Sequence, residues 1–356
     1  MAKYFVTGAT GFIGGEIVKQ LIGRGHKVVA LVRSPGRAGM LKALGVEMHA
    51  GDITDRETLK APMTGVDGVF HVAAWYKVGV KDPHADQINV DGTRNVLKTM
   101  RTLEIPRGVY TSTVAVFSDT NGAMPDETYR YDGNHLSEYD RTKWIAHYRV
   151  AEPTIETGLP LMIVMPGLVY GPGDTSGMHT ALVDLLRGRM PFTPARTAFC
   201  WGHVEDTARG HILAMEKGTL GQTYIIAGPR HTFEYAFALA ASIAKVRAPL
   251  LHPGPHVMRA IEWRDDSLIA YSLGNLVTYG PFTLRDPQNR GAILCVTLGR
   301  KGRVEKAVLR STVQRPPGLV SRDSSGRAAA LVDSLSRLDF PRTRVRTVNA
   351  AGAVRN

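Results

Sequence analysis

Cysteine is nearly missing from this chain: Cys200 and Cys295 are the only two in 356 residues, far apart and without a C-x-x-C spacing. That excludes a disulfide framework and a cysteine zinc site, and it predicts two buried, inert thiols. Long apolar runs are missing too. No stretch approaches the roughly 20 residues that a bilayer-spanning helix needs, so no membrane partner is expected. The N-terminus carries no charged-then-apolar leader, and the expected location is the cytoplasm. His252 and His256 are spaced as metal ligands on a helix, but Pro253 and Pro255 forbid a regular helix there. No metal site is expected.

Histidine is absent from residues 262–356, although 12 histidines precede them. The same segment carries 14 Arg and 2 Lys against 8 acidic residues, so it holds most of the chain's formal charge of +12. A basic excess of this kind suggests anionic partners or nucleic acid. Few aromatics interleave with these arginines, which argues against nucleic acid as a partner. So abrupt a change of composition is what a shifted reading frame or an unrelated extension produces. The segment 263–356 is therefore set apart as an atypical Arg-rich region expected to be poorly ordered, with a strand at 292–298 and a helix at 326–338 as its only patterned stretches.

What the chain does have begins six residues from its start. Thr7-Gly8-Ala9-Thr10-Gly11-Phe12-Ile13-Gly14 follows the apolar run Tyr4-Phe5-Val6. A buried strand here breaks into a helix through glycines, which leave no side chain between the backbone and a ligand. Main-chain N–H groups and the positive end of the helix dipole can then receive a pyrophosphate. A plain tight turn would need only one or two of the three glycines.

Over the first 165 residues, β-rich runs at 4–7, 27–32, 47–50, 68–72, 107–112 and 161–165 alternate with amphipathic stretches at 12–24, 36–44, 56–60, 83–103 and 138–156. Strand, helix, strand repeated in this way builds a parallel sheet covered on both faces. The predicted fold class is α/β, a doubly wound parallel Rossmann sheet with a smaller C-terminal substrate lobe. The predicted divisions are a nucleotide-binding domain at 1–165, an interleaved lobe at 166–262 and the tail.

The candidate chemistry falls at strand ends, where ligands of such sheets bind. The second strand ends Val32-Arg33, with Arg37 close behind, where an NAD-selective chain places an acid. Arginine there can grip a 2′-phosphate, so NADP(H) is favoured and NAD(H) is the alternative. A solvated arginine at a helix start is the plainer reading. Asp52 and Ile53 close the third strand and can hold an adenine, although Asp52 also suits a helix cap. Tyr139 and Lys143 stand four apart on one helix face, and an ammonium beside a phenol lowers the phenol's pKa and makes it a proton donor. Ser112 and Thr113 follow the fifth strand, where one hydroxyl can orient a carbonyl oxygen. Taken singly, each is an ordinary edge-strand residue.

With these residues assembled, the chain resembles the extended short-chain dehydrogenase/reductase family, also called the NAD-dependent epimerase/dehydratase group, over about residues 3–260. The likeness rests on the glycine turn, Gly51-Asp52, Val69 to Ala74, Asn89 to Asn95, the Tyr139/Lys143 pair, Pro166 to Gly173, and His203 to Asp206. It implies that the glycine turn holds the pyrophosphate and that Ala73, Ala74, Pro166, Gly167 and Val169 line the cofactor cleft. It further implies Tyr139 as acid/base, Lys143 on the nicotinamide ribose, and Thr113, with Ser112 as fallback, orienting the carbonyl. Val32 and Phe199 stand where nucleotide-sugar epimerases and dehydratases carry an acid and an arginine, with Arg196 near enough to substitute for the latter. The resemblance is therefore to the dihydroflavonol-reductase-like branch, whose members reduce ketones or aldehydes with NADPH. Nucleotide-sugar epimerisation and a nucleotide-sensing regulator are the rival expectations, and a homodimer through the 83–103 and 138–156 helices is implied.

Overall fold

Five of the six runs in the first 165 residues become strands whose β-branched and aromatic side chains are buried on both faces of a sheet, and the run 47–50 forms a partly exposed strand beside them. The computed structural model describes residues 1–77, 82–120, 122–190, 197–246, 261–264, 267–270, 290–299, 304–315, 319–339 and 353–354. Strands β1 (Lys3–Thr7), β2 (Lys27–Val32), β3 (Glu47–Ala50), β4 (Gly68–His71), β5 (Gly108–Thr111) and β6 (Leu161–Pro166) match the predicted runs within two residues. Two further strands, β7 (Leu168–Tyr170) and β8 (Ala198–His203), pair in parallel beside them, and β9 (Thr223–Ile226) returns to the main sheet. The short strand β10 (Arg230–Thr232) adds to the free side of β8.

The main sheet has the order β3-β2-β1-β4-β5-β6-β9, and all its pairings are parallel. The order in which strands are added reverses between β1 and β4, and a crevice opens at such a point beyond the carboxyl ends of the strands. One face carries Phe5, Val69, Tyr110 and Ile163 against Leu59, Val96, Met100, Ala146 and Val150 of the flanking helices. The other carries Val6, Phe70, Val109 and Val164 against Ile17, Leu21, Leu41, Ile212 and Met215.

Two helices on the first face contain a widened turn. Residues 84–102 are α-helical except for a π segment at Gln87–Asp91, and residues 138–156 except for one at Ala146–Ala151. Pro153, which has no amide proton to donate, follows the second of these.

The chain divides into two compact units, Met1–Thr180 with Ala198–His231, and Ala181–Thr197 with Thr232–Asn356. The division runs through the segment 166–262. Within the second unit, β11 (Ile261–Arg264) and β12 (Ser267–Ala270) form a short hairpin. Strands β13 (Arg290–Leu298) and β14 (Val304–Arg315) form a longer antiparallel pair, which β15 (Leu319–Arg322) extends. Ala292, Ala307 and Leu309 pack on Ala328, Ala329 and Val332 of the helix Arg327–Asp339. The predicted strand and helix of the tail both form. The thiols depart from expectation: Cys200 is half-buried, and Cys295 is exposed because it occupies an outward position of β13.

Candidate functional site

The glycine turn leaves β1 at Thr7. Gly8 has φ +72°, and a Cβ there would lie 2.7 Å from the Ala73 nitrogen. A Cβ on Gly14 would lie 2.2 Å from the Gly8 oxygen. Both residues must be glycine for the turn to pack. Gly11 caps the helix Phe12–Gly23 with no side-chain hydrogen bond and no acid in the first turn. The helix N-terminus is thus left without a side-chain acceptor beside a loop of small residues, which fits a phosphate. Thr10 and Gly11 are exposed, and Phe12 and Ile13 are half-buried.

At the end of β2, Val32 is buried while Arg33 is exposed, and among the described residues nothing pairs with its guanidinium. The Arg37 side chain lies outside the described residues, as do Arg196, His252 and His256. Asp52 Oδ1 accepts from the Thr54 amide and hydroxyl, both at 2.9 Å, so one carboxylate oxygen stabilises its own turn. Ile53 is only 6% exposed and packs beneath Gly92. Its side chain packs into the core.

Beyond β4, the Val72 and Ala73 amides donate to Thr7 Oγ1, and Ala74 is exposed. Asn89 ties down the next residue: its Oδ1 accepts from the Trp75 amide at 2.7 Å. Pro166 is buried, and Gly167 and Val169 are half-buried. Gly167 lets the Cys200 carbonyl approach, since a Cβ would meet that oxygen at 2.3 Å. His203 caps the helix Val204–Lys217 by accepting the Glu205 amide.

The Tyr139 helix starts where it does because Ser137 Oγ accepts the Asp140 amide, with Glu138 and Asp140 favouring the positive end of the dipole. Tyr139 is thereby set beside Thr113, and the two hydroxyls hydrogen-bond. Thr113 is itself anchored, its Oγ1 accepting the Ala115 amide at 3.1 Å. Tyr76 meets the Tyr139 ring edge-on at 4.9 Å. Ser112 turns elsewhere: its Oγ lies 2.8 Å from His147 Nδ1, and His147 Nε2 lies 3.4 Å from Glu152. Thr113, not Ser112, is the hydroxyl brought to Tyr139.

Lys143 is held by two neutral acceptors. Only 2% exposed, it donates from Nζ to the Tyr110 hydroxyl at 3.0 Å and to the Thr111 carbonyl at 2.7 Å. Burial lowers its pKa to about 7. Burial also raises the Tyr139 phenol, and the Thr113 hydrogen bond only partly opposes this. The phenol is thus raised where the sequence led one to expect a lowering by the lysine, and desolvation is the largest cause.

Sequence reasoning passed over the partners of Lys143. Thr7, His71 and Tyr110 stand in one register row near the carboxyl ends of β1, β4 and β5. His71 Nδ1 is 2.8 Å from Thr7 Oγ1, and His71 Nε2 is 3.0 Å from Thr93 Oγ1. Thr93 also hydrogen-bonds Tyr110. The available signal was polarity: these side chains close strands that are otherwise apolar.

Among the described residues no helix is long and apolar enough to cross a membrane, and no group of three or more His, Cys, Asp or Glu is placed to hold a metal. Residues 4–227 match the model of the NAD dependent epimerase/dehydratase family. The sterol demethylase protein B of Methylococcus capsulatus is 31% identical over 270 residues, covering 74% of this chain and 81% of that protein. The 4-hydroxy-2-methyl-3-oxo-4-farnesyl-3,4-dihydroquinoline-1-oxide ketoreductase of Stigmatella aurantiaca is 33% identical, covering 63% of this chain and 67% of that one. The UDP-glucose 4-epimerase of Thermus thermophilus, solved with NAD, is similar in fold at a TM-score of 0.61 and 26% identity, covering 71% of this chain and 86% of that one.

Proposed function

Since this chain belongs to the NAD-dependent epimerase/dehydratase family, whose members include NAD(P)-dependent dehydrogenases and reductases, we propose that it reduces a ketone or aldehyde of a small organic substrate. The observation that carries the reading is the Thr113–Tyr139 hydroxyl pair with Lys143 one turn further along the helix. The bound nicotinamide supplies the hydride in the reductive direction. Tyr139 gives its proton to the carbonyl oxygen, and in reverse takes it from the alcohol. Thr113, fixed by the Ala115 amide, presents a hydroxyl to the same oxygen. Lys143 holds the nicotinamide ribose. The high pKa that burial imposes keeps Tyr139 protonated at neutral pH, the state a donor needs.

The cofactor preferred is NADPH. Val32 occupies the acid position of NAD-selective chains, and the exposed Arg33 guanidinium, unpaired among the described residues, can fork onto a 2′-phosphate. Gly11 and the helix behind it receive the pyrophosphate. The ketoreductase relative from Stigmatella aurantiaca supports the reaction class.

A fluorescence titration with NADPH and NADH, followed by a panel of ketones and aldehydes, tests both parts. Tyr139→Phe is expected to lower turnover by about 10²-fold or more while NADPH binding changes little. Full activity in that variant would sink the assignment of Tyr139. Tighter binding of NADH would overturn the Arg33 argument.

A further inference from the structure

Lys143 has no carboxylate partner among the described residues, so its position rests on neutral groups. Those groups form a buried network whose hydrogen-bond directions can be worked out one by one. Thr7 Oγ1 accepts the Val72 and Ala73 amides, at 3.1 and 3.2 Å, so its own proton goes to His71 Nδ1. His71 therefore carries its proton on Nε2 and donates to Thr93 Oγ1. Burial agrees, pushing the His71 pKa down to about 3 and keeping the ring neutral. Thr93 donates its single proton to the Asn89 carbonyl at 2.6 Å. Toward Tyr110 it can only accept, so the Tyr110 hydroxyl donates to Thr93 and turns a lone pair to Lys143 Nζ. The Lys143 ammonium also lies 4.6 Å from the centre of the Tyr110 ring.

We propose that Tyr110 is a positioning residue for Lys143: its hydroxyl, oriented by Thr93, fixes the ammonium at the carboxyl end of β5 and links it through His71 and Thr7 to the start of the glycine turn. The role rests on the reading of Lys143 as part of the reductase site. Thr93 is the hub, accepting from one arm that begins at Thr7 and from another that begins at Lys143. A shift of the β1 turn thus reaches the lysine through four buried hydrogen bonds.

Tyr110→Phe removes only the hydroxyl and keeps the ring that Lys143 faces. A lost acceptor disfavours the ammonium, so Lys143 should release its proton at lower pH. The groups facing Lys143 are Tyr110 on β5, His71 on β4, and Tyr139 and His147 on its own helix. Burial pushes both tyrosines up and both histidines down, so all four remain neutral through the pH window in which Lys143 titrates.

The test is equilibrium unfolding of the cofactor-free protein from pH 6 to 10. Folded Lys143 loses its proton near pH 7 whereas an unfolded lysine keeps it to near 10.5, so wild-type stability rises with pH between those values. The rise is expected to begin about one pH unit lower in Tyr110→Phe, and to be absent in Lys143→Met. Thr93→Val, which keeps the hydroxyl but removes its acceptor, should move the onset in the same direction. In turnover, Tyr110→Phe should lower kcat more than the KM for cofactor, and its alkaline limb should fall at lower pH. An unchanged onset in both Tyr110→Phe and Thr93→Val overturns the proposal. Retained activity in Tyr139→Phe would overturn the reductase reading instead, and the unfolding measurement would still decide the contact.

Discussion

Thr93→Val is the substitution whose cost follows most directly from the hydrogen-bond directions. The two side chains have the same shape, so the change removes one hydroxyl and leaves no cavity. Three bonds go with it: the donor to Asn89, and the acceptor for His71 Nε2–H at 3.0 Å and for Tyr110 O–H. The Asn89 carbonyl lies within a helix and loses little. His71 cannot escape by moving its proton to Nδ1, because Thr7 has both lone pairs engaged and must donate there. Its Nε2–H is left buried and unpaired. Each orphaned buried donor costs about 1–3 kcal/mol, so the variant should lose about 2–6 kcal/mol. With a urea m-value of about 3 kcal/mol/M for a unit of this size, the midpoint drops by at least roughly 0.7 M. Unfolding followed by tryptophan fluorescence at pH 7 reads it, and Thr93→Ser should restore most of the loss. A Thr93→Val midpoint within error of wild type would refute the assigned directions.

Two further outcomes are expected. Arg33→Ala should weaken NADPH binding by about 10-fold or more while leaving NADH binding nearly unchanged, since only the 2′-phosphate uses the guanidinium; equal weakening of both cofactors would dismiss that contact. Stability should fall steadily as pH drops below 6.5, because burial holds His71 near pKa 3 and His211 near 4 while the unfolded histidines take up protons from about 6.5. Up to about 1.4 kcal/mol per pH unit is lost for each histidine, and a flat unfolding profile between pH 6 and 4.5 would show that these rings are not held neutral.

The main sheet was legible because its inner strands are buried on both faces and read as short apolar runs between amphipathic helices. Val6 and Phe70 could hardly occupy anything else. Strand β14 was not legible, because its inward row includes Ala307 and Ser311, which carry no strand signal, between Glu305, Lys306 and Arg310, which read as surface. In the site, the Tyr139/Lys143 pair was visible because a spacing of four is a local property of a helix. The lysine's destination was not visible. It depends on Tyr110, 33 residues away, and on burial strong enough to reverse the anticipated effect on Tyr139. The burial of Ile53 was hidden for a similar reason: the close approach of Gly92 that draws it inward comes from a helix about forty residues later.

The packing of the glycine turn bears on how the motif should be used in comparing chains. Gly8 and Gly14 are required by contacts of the protein with itself, at 2.7 Å and 2.2 Å, whether or not a nucleotide ever binds. A descendant that had lost its cofactor but kept its fold would retain both. Gly11 is under weaker internal compulsion, since a Cβ there would meet the Gly8 oxygen at 3.1 Å, a contact that a small shift relieves. Of the three glycines, the middle one is therefore the residue whose replacement would mark a chain of this fold that no longer binds a dinucleotide.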